Sequence, residues 1–124
     1  MPIYMNIDRL QQTVTMVAHG TVTDQDIVEI TQQLIDSDVP TFGKIIDTSA
    51  AVSSLTKEQV AVVAEMLRRA PGHDRRGPVA YVINPERIGF AHSFAEQSQA
   101  DRPVRLFTSL REARRWIAET MASR

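Results

Sequence analysis

The feature that most constrains this chain is the alternation of short apolar runs with helix-spaced segments. The runs are "KIID" at 44–47, "GPVAYVIN" at 77–84 and "PVRLF" at 103–107, and the segments between them carry apolar residues three and four apart. Short β-branched runs separated by helical stretches predict strands joined by helical crossovers, and hence a largely parallel sheet. The unbroken apolar stretch Val79 to Ile83 fits a strand covered on both faces.

The amino-terminal part follows a different pattern. Ile3, Met5 and Ile7 alternate with Tyr4, Asn6 and Asp8, and Val14, Met16 and Ala18 resume the alternation after "RLQQ". Two half-buried strands joined by so short a link favour an antiparallel pair.

Four helices are expected between and after these strands. Thr23 opens the first, with Asp24 and Asp26 in its first turn and Ile27, Ile30, Leu34 and Ile35 as its apolar stripe. It ends in "DSDVP", because Pro40 disfavours a helical Val39. "TKEQ" has the form of a capping box, with Thr56 as N-cap ahead of Val60, Val63, Ala64 and Leu67. Asn84-Pro85 predicts a third helix running to about Gln99, and Ser109 to Glu112 repeats the capping box before the last helix. The order β-β-α-β-α-β-α-β-α predicts a single α/β domain over residues 1–124. Its sheet has about five strands, mostly parallel, with the first antiparallel.

Composition narrows the function classes. A net charge of −1 gives no general drive towards nucleic acid. The absence of cysteine excludes disulfides, thiolate nucleophiles and zinc ribbons, and suits a reducing compartment. His19, His73 and His92 fall in separate segments without metal-ligand spacing, so neither a metal nor a cofactor is expected. The amino end lacks the charged start and long apolar core of a signal peptide, and no run approaches the ~20 residues of a membrane span. A cytoplasmic protein is the expectation. Arg68, Arg69, Arg75 and Arg76 have no aromatic residue among them, so they read as a solvated loop and not a nucleic-acid platform.

On three stretches, "HGTVTDQDI", "KIIDTSAAVSSLTKEQVAVVAEML" and "VRLFTSLREARRWI", the chain resembles the STAS domain, the fold of bacterial anti-sigma-factor antagonists. It is most similar to the divergent SpoIIAA-like branch, which is also similar to the lipid-binding CRAL-TRIO domains. The resemblance implies a non-catalytic signalling module whose protein partner is an anti-sigma factor or a kinase. In that family the loop before the second helix carries Asp-Ser-Ser/Thr-Gly, and one of its hydroxyls is phosphorylated. Here the segment is Ser53-Ser54-Leu55-Thr56-Lys57-Glu58, without the acid or the glycine, and Thr56 lies nearest the acceptor position.

Three candidate sites follow. Ser53, Ser54 and Thr56, with Asp47 and Thr48 upstream, are candidates for phosphorylation or partner binding. A phosphate there would sit at a helix amino terminus, whose free N–H groups accept anions. Capping and turn formation is the simpler use of the same hydroxyls. Phe90 and Phe94, one helical turn apart, with His19 and Asn84 at strand ends, outline a pocket for a small apolar or lipid-like ligand; the same stripe also reads as core. His19, Asp47 and a loop serine supply the groups of a hydrolase, but no Gly-x-Ser-x-Gly elbow accompanies them and no catalytic residue is assigned. The last helix offers apolar residues to a homodimer, although Arg111, Arg114 and Arg115 keep much of it wet.

Overall fold

Two strands open the fold, β1 (Ile3–Asp8) and β2 (Thr13–Val22), paired antiparallel. The structure, a computed structural model, describes residues 3–53, 57–86 and 103–123. The four-residue link between β1 and β2 turns with Gln12 in the left-handed region at φ 57°, and Asp8 Oδ1 accepts the Gln11 N–H at 3.0 Å. Then come α1 (Asp24–Asp36), β3 (Gly43–Ser53), α2 (Lys57–Arg69), a single 3₁₀ turn (His73–Arg75), β4 (Val79–Val82), β5 (Val104–Phe107) and α3 (Leu110–Ala122). The five strands stand in chain order, and β2 to β5 are all parallel. This is the mixed α/β sheet expected from the sequence. The expected helix at 85–99 falls almost wholly outside the described residues. At its near end, Asn84 Oδ1 accepts the Glu86 N–H at 3.0 Å, as a capping asparagine does.

Because the chain always steps to the next strand in one direction, the crossover helices α1 and α2 share one face of the sheet. Under α1, the inward residues Ile3, Val14, Met16 and Ala18 pack against Ile30. Under α2, Val79, Tyr81 and Val104 meet Val60, Val63 and Leu67. α3 covers the opposite face over β3 and β4, where Ala113 and Ile117 lie on Ile45, Ala80 and Val82. β4 therefore has helices on both sides and all four of its residues are buried, which explains its unbroken apolar sequence. Beside Trp116, Arg105 lies over both that indole and the Phe107 ring, 5.7 and 5.2 Å from their centroids.

α1 begins with a full capping box. Thr23 Oγ1 accepts the Asp26 N–H at 3.1 Å, and Asp26 Oδ2 accepts the Thr23 N–H at 2.9 Å. Thr23→Ala is expected to lower stability by about 1 kcal/mol, read as a shifted urea midpoint with unchanged slope. An unmoved midpoint would mean that the box does not hold this helix end. At α3 the cap is looser, since Ser109 Oγ accepts the Glu112 N–H at 3.4 Å.

Candidate functional site

Ligands of open parallel sheets bind outside the carboxyl ends of the strands, and β2 and β3 make that rim unusual here. The sequence reading stopped the third strand at Asp47, but it continues to Ser53. The difference has a local cause. Between the pairs Val17–Asp47 and His19–Ala50, β3 carries one residue more than β2, which makes a bulge at Thr48-Ser49. Asp47 locks it: Oδ1 accepts both the Ser49 N–H at 3.0 Å and the Ser49 Oγ–H at 2.6 Å. Thr48 Oγ1 donates to Val82 O at 3.0 Å, where β4 ends. The bulge thus carries β3 past the end of β4, with β2 alongside as far as Val22. Gly20 takes φ 69° within this extension, a conformation that suits glycine.

This geometry places the candidate residues. Asp47 and Thr48 hold the bulge. His19 is exposed opposite Ala50, and its ring stacks on Tyr4 with centroids 5.6 Å apart. Ser53 is the last residue of β3 and pairs with Val22. Ser54 and Thr56 lie outside the described residues, as do Phe90 and Phe94. Beyond the rim, Val52 is 48% exposed at the end of β3, and Val62 is 58% exposed on α2. Val62 lies roughly 7–8 Å along the helix from its start. Sequence reading missed both valines as surface groups, although Val62 stands off the stripe formed by Val60, Val63, Ala64 and Leu67.

A second feature lies beneath the helices. A cavity of about 80 Å³ lies between α1, α2 and the sheet, lined mainly by apolar side chains including Ile30, Leu34, Ile46, Val63 and Leu67. Lys44 also lines it, 2% exposed, with Nζ donating to Val39 O at 3.0 Å and Pro40 O at 2.8 Å. The hydroxyls of Thr31 and Thr48 donate to Ile27 O and Val82 O.

Arg69 and Arg75 of the arginine cluster are exposed, as a solvated loop requires, and Arg76 is the exception. Arg76 is buried, at 8% exposure, while Arg68 and Arg69 pair with Glu65 at 3.9 and 3.1 Å. Among the described residues no three His, Asp or Glu side chains converge as a metal site requires, and no helix is long and apolar enough to cross a membrane.

No protein-family model matches the chain, and no curated protein matches it. Among solved structures it is similar to the crystal structure of an uncharacterized protein of the DUF3478 family, with a SpoIIAA-like fold, from Shewanella loihica PV-4. The TM-score is 0.64 at 22% identity, over 93% of each chain. The chain therefore has a SpoIIAA-like fold, as the three stretches of sequence implied.

Proposed function

We propose that this chain is a regulatory module that binds a protein partner through the rim where β3 passes into α2, in the manner of an anti-sigma-factor antagonist. The observation that carries the reading is the pair of exposed valines, Val52 at the end of β3 and Val62 on α2, which precede and follow the hydroxyl-bearing residues 53–56 in the sequence. Exposed apolar side chains near a polar loop are the raw material of a small interface. The bulge at Asp47–Ser49 supports it by projecting the end of β3 beyond β4. A phosphate on Ser54 or Thr56 would add about −1.5 to −2 charges to the segment that links β3 to α2 and so release or rearrange the partner. An anti-sigma factor or its kinase is the partner class that the fold suggests.

The test is the double variant Val52→Glu, Val62→Glu. Because both side chains are exposed, folding stability should change by no more than about 1 kcal/mol. Affinity for the partner co-purified with the wild type should fall tenfold or more, since two charges would be buried in the interface. Unchanged affinity would refute the proposed surface.

The cavity beneath α1 and α2 favours a second reading, a carrier or sensor of a small apolar ligand. Occupancy there bears on the helix whose start forms the rim, so the two readings are compatible.

A further inference from the structure

α3 packs on β3, β4 and β5 and leaves the same face of the β1–β2 hairpin largely open. The register decides which residues stand there. The cross-strand pairs Tyr4–Val17, Asn6–Thr15 and Asp8–Thr13 share this face, and they alternate with the pairs that carry the buried Val14, Met16 and Ala18. Between the open face and α3 runs a groove of about 340 Å³, within the ~300–1,000 Å³ of ligand clefts. Asn6, Asp8, Gln11, Thr13 and Thr15 line it from the hairpin, and Arg114 lines it from the helix. Two residues before Asn6, roughly 7 Å along β1, the Tyr4 ring continues the same face. It is 63% exposed and stacks on His19 with 18° between the ring planes, which makes a supported aromatic platform.

Two properties select the occupant. The first is charge: among the described residues lining the groove, Asp8 is the one acid and Arg114 the one base, so the site matches a ligand without net charge. The second is hydrogen bonding. Among the described residues, the side chains of Asn6, Gln11, Thr13, Thr15 and Arg114 make no hydrogen bond or ion pair with the protein. Amides and hydroxyls both donate and accept, as a sugar hydroxyl does, whereas a hydrocarbon would displace their water and return nothing. A phosphate would meet the Asp8 carboxylate.

We propose that this groove binds a neutral saccharide, with the C–H face of one ring on Tyr4 and hydroxyls turned to Asn6, Thr15 and Arg114. Platform and groove together run roughly 14 Å along β1, from Tyr4 to Asp8, which accommodates a disaccharide. The site lies on the opposite face of the sheet from the cavity under α1 and α2, and it depends on neither reading above.

The experiment titrates the full isotope-labelled chain with cellobiose, maltose and N,N′-diacetylchitobiose, and separately with cyclohexanol and sodium tripolyphosphate. The side-chain amide signals of Asn6 and Gln11 report the groove. At least one disaccharide is expected to shift both signals with a Kd of about 1 mM or below, and to bind at least about tenfold tighter than cyclohexanol or tripolyphosphate. Tyr4→Ala and Arg114→Ala remove exposed side chains, and each should weaken that disaccharide about fivefold or more. The two residues stand on different elements, so either variant decides the test if the other fails to fold. No shift of these amides with any of the three disaccharides would overturn the proposal. Tighter binding of tripolyphosphate, or unchanged disaccharide affinity in the folded variants, would overturn it as well.

Discussion

Gly77→Ala is expected to destabilise the protein by about 3 kcal/mol or more. Gly77 is buried where the α2–β4 connection crosses the α1–β3 connection, and its N–H donates to Pro40 O at 2.8 Å. A β-carbon at this position would fall 2.6 Å from Thr41 O and still closer to Phe42 O. Both obstacles are backbone atoms, so no rotamer change relieves the clash; one connection must move off the other. Such a shift would also disturb Pro40, whose carbonyl receives the Lys44 ammonium. Equilibrium urea unfolding followed by Trp116 fluorescence measures the loss. A change below about 0.5 kcal/mol would mean that the two connections do not meet as described.

The second large effect is expected at Ile117, the 1% exposed side chain by which α3 grips the sheet. Ile117→Ala should cost about 3–4 kcal/mol, the transfer term plus the cavity left between α3 and β3–β4. The site has little capacity to collapse. Ala80 and Ala113 beside it are already small, and the chain backbone at Gly43 comes so near that an added β-carbon would lie 2.8 Å from Ile117 Cγ2. Val62→Ala, which removes a larger share of exposed than buried surface, should stay within about 0.5 kcal/mol. The contrast matters more than either number. Equal effects at the two positions would mean that α3 does not pack as described.

Much of this architecture is legible in the sequence because its causes are local. The period-2 alternation of Ile3, Met5 and Ile7, the start of α1 at Thr23 and the stop before Pro71-Gly72 all follow from neighbouring residues. The strand boundary at Asp47 is not legible in the same way. Thr48, Ser49, Ala50 and Ala51 look like loop in isolation; they extend only because β2, far away in sequence, continues beside them as far as Val22. The buried positions of Lys44 and Arg76 are hidden for a similar reason, since their burial depends on how loops from different parts of the chain come together. Of the candidate site, the sequence supplied Asp47 and Thr48 but not their task, which is to hold the bulge. His19, expected at a strand end, lies inside β2, which runs on to Val22, and its stacking on Tyr4 depends on the β1–β2 register. A cavity between helices and sheet has no sequence signature at all.

The measurement that bears most directly on the binding role is site-specific photo-crosslinking in the cells that make the protein. A benzophenone side chain is installed in place of Val52, at the rim, and separately in place of Glu119, exposed on α3. The account expects a covalent adduct with one second protein from position 52 and none from position 119. Adducts from position 119 with none from position 52 would move the interaction surface to α3 and contradict it.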